Sequence, residues 1–233
     1  MVNYHSFLFH TKKIKGLFLL ALPAHSLFYG LRAKMTDEQE YMVNSILDKN
    51  VVFSNSEAGT GKTTMAFAAL YYLYENRLID KIYYIFSPVQ EDKMGFRPGT
   101  QEEKEADYAE PIYGAITKLG LVPEKVIDPK HGFVKVMSHT FLRGQDHERV
   151  GVILDETQNY TKDELKKTFT RFHDDCHIVA IGHTGQIDLK KPEHSGFVPM
   201  MNHFSEKEPD RSAVAPLTVN FRGWISRVAD SLE

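Results

Sequence analysis

Two short groups of polar residues could together bind a nucleotide and cleave its terminal phosphate. The first is the stretch 56–63, Ser-Glu-Ala-Gly-Thr-Gly-Lys-Thr, and the second is the pair Asp155-Glu156. Glycines let a loop point its backbone N–H groups at phosphate oxygens, and a lysine adds positive charge. Adjacent carboxylates can bind magnesium and activate water. The two groups therefore predict phosphate chemistry.

The glycine-containing loop lies between an apolar run and an apolar helix, which is the setting of a phosphate-binding loop (P-loop). Lys62 would bind the β- and γ-phosphates, and the Thr63 hydroxyl would bind Mg²⁺. Ser56 stands where such loops begin with glycine, and serine fits without strain if its φ angle stays negative. We assign nucleotide binding to Ser56, Glu57, Ala58, Gly59, Thr60, Gly61, Lys62, Thr63 and Thr64.

Asp155 and Glu156 follow the apolar run Val150–Leu154, which has the pattern of a buried strand. Asp155 would hold Mg²⁺ directly or through water, and Glu156 would deprotonate the water that attacks the γ-phosphate. Many strands end in acidic residues, so this pair alone is a weak signal. Together with Lys62 and Thr63, it predicts hydrolysis of a nucleoside triphosphate.

The apolar pattern predicts how the two groups are brought together. Short apolar runs alternate with helical patterns, which is typical of a parallel sheet covered by helices on both faces. The carboxyl ends of parallel strands share one edge, so the P-loop and Asp155 should meet there. The predicted class is α/β, a three-layer P-loop fold with a mostly parallel central sheet. The predicted strands are 51–55, 81–86, 134–137, 150–154, 177–181 and 215–219, and the predicted helices are 37–48, the P-loop helix to about residue 76, 102–119 with a break at Pro111, and 161–172.

A closing helix is predicted after the last strand. Its apolar residues are spaced as i, i+3, i+4 and i+7, the pattern of a helix with one buried side. We expect this stripe to pack into the core. Its members are Phe221, Trp224, Ile225, Val228, Ala229 and Leu232.

Residues 1–34 have a different pattern from the rest of the chain. Three lysines, at positions 12, 13 and 15, precede the apolar run 16–22, which resembles the start of a signal peptide but is too short to span a bilayer. Met35 begins a well-capped helix start. We therefore predict one domain over 35–233 and an N-terminal extension over 1–34, which is either poorly ordered or upstream of the true start.

The composition is that of an ordinary globular protein. The chain has 233 residues, a net charge of −3 and a single cysteine. No internal disulfide is available, and a nucleotide-using enzyme is expected in the cytoplasm, with no membrane partner. An overall acidic chain would need a local groove for any contact with nucleic acid.

Several segments resemble one known family. The sequence Asp-Glu-Thr-Gln-Asn at 155–159 resembles the Asp-Glu-Ala-Gln-Asn signature of PhoH-like ATPases, which are related to the first motor domain of superfamily 1 helicases. Further similarities follow in the family's order at 94–99, 110–113, 141–144 and 182–188. The resemblance covers about residues 36–232. Three positions depart from the pattern, namely Ser56, Thr157 and His183, the last of which replaces an aspartate.

The resemblance implies a RecA-like ATPase that uses ATP and Mg²⁺. It implies that Gln39 reads the adenine and that Gln186 senses the γ-phosphate or the attacking water. Single-stranded RNA or DNA is the expected polymer partner. Its phosphates would meet Lys93, Arg97 and Arg143.

The resemblance also implies a homo-oligomer, such as a hexameric ring. Superfamily 1 helicases complete the ATP site with an arginine from a second motor domain, and we expect a neighbouring copy to supply it here. Arg222, before the closing helix, is the candidate for this catalytic arginine, and Arg143 is the second choice.

Other functions stay open at this point. Ser56 and His183 leave room for a nucleotide-binding switch with little hydrolysis. A P-loop kinase is a further alternative, although no segment resembles a lid over an acceptor substrate. A standalone nuclease has less support, because no cluster of nuclease-type carboxylates stands out.

Overall fold

Six parallel strands form one sheet in the computed structural model of the chain, which describes residues 28–87, 101–142, 146–225 and 228, with the backbone alone over 101–107. The strand order is β3-β2-β4-β5-β1-β6, and every pairing is parallel. The predicted α/β class with a mostly parallel sheet is therefore confirmed. The strands are β1 (Val51–Asn55), β2 (Lys81–Phe86), β3 (Val134–Ser138), β4 (Val150–Leu154), β5 (His177–Gly182) and β6 (Ser212–Val214).

Helices cover both faces of the sheet. They are α1 (Asp37–Asp48), α2 (Lys62–Glu75), α3 (Gln101–Lys118), α4 (Pro123–Val126), α5 (Lys162–Phe169) and α6 (Phe197–Lys207). Helices α1, α2 and α3 share one buried apolar cluster, and α5 and α6 contribute to the other. Strand β1 shows why both faces are apolar, because Val52 belongs to the first cluster and its neighbours Val51 and Phe53 to the second.

The bounds of β1, β2, β4 and α1 are those that the sequence predicts. The position of the last strand differs from its prediction. Strand β6 ends at Val214, whereas the prediction placed a strand over 215–219. The amide of Ala215 still donates to the Phe53 carbonyl (2.8 Å). Pro216 has no N–H to continue the ladder, and the chain then leaves the sheet. The prediction of a strand over 215–219 was wrong because it relied on the apolar pattern of these residues and ignored that Pro216 cannot donate a backbone hydrogen bond.

Two helix predictions also need correction. Helix α3 continues through Pro111, where a break was expected. Helix α5 ends at Phe169, three residues earlier than predicted, and α6 was not predicted at all.

The described part of the predicted closing helix does not pack into the core. Phe221, Trp224, Ile225 and Val228 are all more than half exposed, and Trp224 is 68% exposed. These residues follow a segment that crosses the P-loop side of the domain, and none of the four belongs to either apolar cluster. The prediction of core packing was therefore wrong. Ala229 and Leu232 lie outside the described residues.

Residues 28–34, which we assigned to the N-terminal extension, pack onto helix α2. The Phe28 side chain is 1% exposed and lies against the rings of Tyr29 and Tyr72. The Tyr29 hydroxyl donates to Glu75 at the end of α2 (2.5 Å). Residues 1–27 lie outside the described part of the chain. Among the residues that the structure describes, no helix is long and apolar enough to cross a bilayer.

Phe28 offers a stability test of this packing. Phe28→Ala should lower the free energy of unfolding by about 3 kcal/mol, because it leaves a cavity in the first apolar cluster. Phe141→Ala is the matched control, since Phe141 is 52% exposed, and it should change stability by less than about 1 kcal/mol. Urea unfolding followed by circular dichroism measures both. Equal effects of the two changes would contradict the packing.

Candidate nucleotide-binding site

The P-loop joins the carboxyl end of β1 to the start of α2. Gly59 and Gly61 have φ angles of +79° and +89°, which glycine adopts without strain. Ser56 is absent from the described residues with positive φ, so the expected condition for serine at this position is met. Its side chain is buried and faces the protein, leaving the loop backbone for phosphate.

Lys62 lies in the cradle that the loop forms. Its Nζ donates to the carbonyls of Ser56 (2.5 Å) and Glu57 (2.7 Å). Burial lowers the pKa of the Lys62 ammonium, and the nearby carboxylates of Asp155 and Glu156 act against that shift. The lysine and the two acids therefore share one electrostatic environment, as the sequence predicts.

Asp155 is a buried carboxylate at the end of β4. One oxygen accepts from its neighbour's backbone, Glu156 N to Oδ1 (2.8 Å), and Oδ2 accepts from the Tyr84 hydroxyl of β2. Burial raises the pKa of Asp155 to about 6, and the nearby Glu156 carboxylate adds to this, while Tyr84 and Lys62 oppose it. The group is thus held firmly in an environment that disfavours its own charge.

Glu156 has a left-handed backbone, with φ 50° and ψ 40°, and its side chain is exposed. A non-glycine residue in this region is strained, and such strain is common at functional sites. The buried Gln158 fixes the Glu156 side chain through Nε2, which donates to Oε2 (2.5 Å). Glu156 therefore faces solvent from a fixed position beside Asp155.

Gln158 also connects Glu156 with the loop after β5. Its Nε2 donates to the Gln186 carbonyl (3.0 Å), and its Oε1 accepts from the His183 amide (3.0 Å). The same loop is tied to the end of β1, where Asn55 Oδ1 accepts from the Thr184 amide (3.1 Å). The Gln186 side chain is exposed at this edge. One buried amide thus joins the two loops that carry Glu156 and Gln186.

Gln39 supports the P-loop from helix α1. Its Nε2 donates to the Thr60 carbonyl (3.0 Å), while its backbone and Oε1 form a capping box with Thr36. A Cβ on Gly61 would lie 2.9 Å from Gln39 Nε2, and the φ angle of +89° at Gly61 favours glycine there. This geometry shows a structural role for Gln39, and adenine recognition stays a prediction.

Arg222 lies on its own P-loop. A Cβ on Gly59 would be 2.6 Å from Arg222 Cγ, and Arg222 is close enough to act on the pKa of Lys62. We expected this side chain to project toward a neighbouring copy. Its side-chain carbons lie against the same chain's loop, where the Phe221 amide donates to the Gly59 carbonyl (3.0 Å), and the residue is exposed, so a role in a neighbouring copy's site stays a prediction.

Some predicted residues lie beyond the described part, and other site residues were not predicted. Lys93, Arg97 and Arg143 are outside the described residues. The sequence analysis missed Tyr84, the linking role of Gln158, and Asn220, whose Oδ1 accepts from the Arg222 amide (2.8 Å). The sequence gives no indication that Tyr84 belongs to the site, since it looks like one more apolar residue of a strand. Asn220 has a weak signal, as a polar residue two positions before Arg222.

These features define a class of protein. A glycine-containing loop after a central parallel strand, a lysine at the start of the next helix and a buried aspartate two strands away make this chain a P-loop NTPase. The family follows from comparison with known sequences. The PhoH-like protein family matches residues 32–218, and the chain belongs to that family.

Individual relatives agree with this assignment. Protein PhoH of Escherichia coli K12 is 30% identical over 175 residues, covering 74% of this chain and 49% of the relative. The PhoH-like protein of Mycobacterium leprae is 31% identical over 183 residues, covering 76% and 51%. The chain thus spans about half the length of the curated relatives that it matches.

The fold also matches a solved structure of very different sequence. The large terminase of a thermophilic bacteriophage aligns with a TM-score of 0.52 and 11% identity, over 78% of this chain and 45% of the terminase. At that identity the similarity supports the fold alone.

The raised pKa of Asp155 gives a prediction about stability and pH. The folded-state pKa of about 6 exceeds the ordinary value of 3.8, so folding is penalised above pH 6 and the penalty fades as pH falls toward 4. Asp155→Asn should therefore stabilise the metal-free protein at pH 7 by on the order of 2 kcal/mol, with little effect near pH 4. Chemical unfolding in EDTA at the two pH values measures the difference. A variant less stable than the parent at pH 7 would disprove the burial penalty.

Proposed function

We propose that this chain binds ATP and hydrolyses it with Mg²⁺. The observation that carries the proposal is the placement of Lys62, Asp155 and Glu156 in one electrostatic environment at the carboxyl edge of the sheet. Ligands of open α/β sheets bind at that edge. A phosphate-binding lysine beside two acids fits phosphoryl transfer to water.

Each residue has a role in this proposal. The P-loop backbone and the N-terminus of α2 hold the phosphates, and Lys62 turns from the carbonyls that it now contacts to the β- and γ-phosphates. Glu156, fixed by Gln158, takes the proton from the attacking water. Gln186, on the loop that Gln158 also holds, responds to the γ-phosphate.

The oxygen atoms at the site are suitable ligands for magnesium. Thr63 at the start of α2 and the buried Asp155 supply oxygen ligands of the kind that Mg²⁺ prefers. When bound, the ion neutralises phosphate charge and screens the buried carboxylate. A cation at Asp155 would also offset the burial cost described above.

The position of Arg222 supports a contact with the nucleotide of its own chain. Its side chain carbons lie against Gly59, within the P-loop that holds the phosphates. An arginine there stabilises charge that develops on the transferred phosphoryl group. A homo-oligomer, including a ring, stays a prediction that does not depend on this contact.

One alternative, a nucleotide switch, remains as a second candidate. His183 favours a slow nucleotide switch, because an imidazole on the γ-phosphate loop supplies no negative charge. The kinase reading has no specific support among the described residues. We place the ATPase in the cytoplasm, where its substrate is available.

Lys62 and Glu156 test the division of roles. Lys62→Ala should abolish ATP binding, because the phosphate charge loses its partner. Glu156→Gln should keep binding and lower hydrolysis by about 10² or more, because it removes the base. Lys81→Ala, at the opposite edge of the sheet, is the control. Phosphate release and equilibrium binding of labelled ATP measure the effects. Parent-rate hydrolysis by Glu156→Gln would show that the base is misassigned.

We further propose that hydrolysis is coupled to single-stranded RNA or DNA. Arg97 and Arg143 are the predicted phosphate contacts. Alanine at either should weaken binding, and affinity should fall by about tenfold between roughly 50 and 200 mM salt. Arg211→Ala is the control, since the Arg211 carbonyl meets Val51 at the amino end of β1. Fluorescence anisotropy of a labelled strand and strand-stimulated phosphate release measure the effect. Salt-independent binding would refute the electrostatic contact.

A further inference from the structure

The segment Leu217–Arg222 lies over the P-loop and is fastened to both of its halves. The Leu217 amide donates to the Ser56 hydroxyl at the first residue of the loop (2.7 Å). The Phe221 amide donates to the Gly59 carbonyl in the middle of it (3.0 Å). Arg222 then lies directly on Gly59. The position of the arginine is therefore set by contacts with the loop itself.

The Ser56 hydroxyl is the unusual part of this arrangement. It is buried and has two partners, the Leu217 amide and the Ser54 hydroxyl (3.0 Å). Since it accepts from Leu217, its own proton is available to Ser54. Glycine at this position would offer no acceptor, and the buried Leu217 amide would lose this bond. The departure from the usual loop pattern thus has a structural use.

A second anchor holds the same segment to helix α1. The backbone amide and hydroxyl of Thr218 donate to the two oxygens of Glu38, both at 2.7 Å. Gln39, the next residue of α1, holds the Thr60 carbonyl of the P-loop. The segment, the helix and the loop are therefore bonded to one another pairwise.

We propose that Ser56 is a positioning residue that holds Arg222 at the phosphate site through its hydrogen bond to Leu217. The proposal rests on the proposed ATPase function and adds a role that the phosphate-binding loop pattern does not include. Lys62 contacts the Ser56 carbonyl. A Lys62 that turns to phosphate therefore acts on the residue that holds the segment. In this proposal, nucleotide binding affects the position of Arg222 through Lys62, Ser56 and Leu217.

The first experiment measures hydrolysis. Ser56→Ala should lower kcat by about tenfold with little change in the KM for ATP, because the Leu217 amide loses its acceptor and Arg222 is released. In an Arg222→Ala background the same change should have less than about a twofold effect. Ser56→Thr keeps the hydroxyl and should restore the rate. Ser54→Ala removes the other hydrogen bond of the Ser56 hydroxyl (3.0 Å) but leaves the bond to Leu217, so it is the matched control.

The second experiment needs no nucleotide. Trp224 is the chain's single tryptophan and lies two residues after Arg222. Its fluorescence anisotropy in the nucleotide-free protein should fall in Ser56→Ala, but not in Ser54→Ala or Ser56→Thr, because the segment moves more freely.

The outcomes separate the two proposals. Unchanged anisotropy in Ser56→Ala overturns the proposal that Ser56 holds the segment Leu217–Arg222, even if the protein is an active ATPase. An equal loss of kcat with and without Arg222 also overturns it, because the hydroxyl would then act on the loop alone. A fall in anisotropy in a protein without ATPase activity supports the fastening and refutes the proposed function only.

Discussion

The carboxylate of Asp155 is the group on which the site depends. It is buried at the end of a strand with apolar residues on both faces, and its charge is supported by Tyr84, the Glu156 amide and Lys62. Such a group lowers the stability of the empty protein at neutral pH and binds a cation well. The sheet order matters for the same reason, since only β5 separates the strand that ends at this acid from the strand that leads into the P-loop.

Three loops meet at this edge, and each is held by another. Gln158 ties the Glu156 turn to the loop of Gln186, Asn55 ties that loop to the end of β1, and Ser56 ties the P-loop to the segment of Arg222. The bonds are made by uncharged polar side chains, of which Gln158 and Ser56 are buried and Asn55 is partly buried. Loops held in this way keep catalytic groups in place without a bound nucleotide, which lowers the cost of organising the site on binding.

The sequence predicted the parts of the fold that depend on local pattern. Strands such as Val51–Asn55 and helix Asp37–Asp48 were found with their bounds, because buried strands and capped helices leave clear signals. Residue type and spacing also predicted that the P-loop, Asp155 and Glu156 lie at one edge of the sheet, while their roles stay proposals. Long-range polar contacts were not predicted. Tyr84 meets Asp155 only through the pairing of β2 with β4, and Arg222 reaches Gly59 only because Pro216 ends the sheet and the chain turns back over the loop.

A crystal structure with ADP, Mg²⁺ and aluminium fluoride tests the central claim most directly, since this complex imitates the transferring phosphoryl group. We predict that Lys62, Gln186 and Arg222 of one chain contact the fluoride group, and that Thr63 and Asp155 hold the Mg²⁺ directly or through water. Arg222 turned away from its own P-loop, with an arginine of a neighbouring copy in its place, would contradict the single-chain site. A nucleotide bound away from the P-loop would contradict the account as a whole.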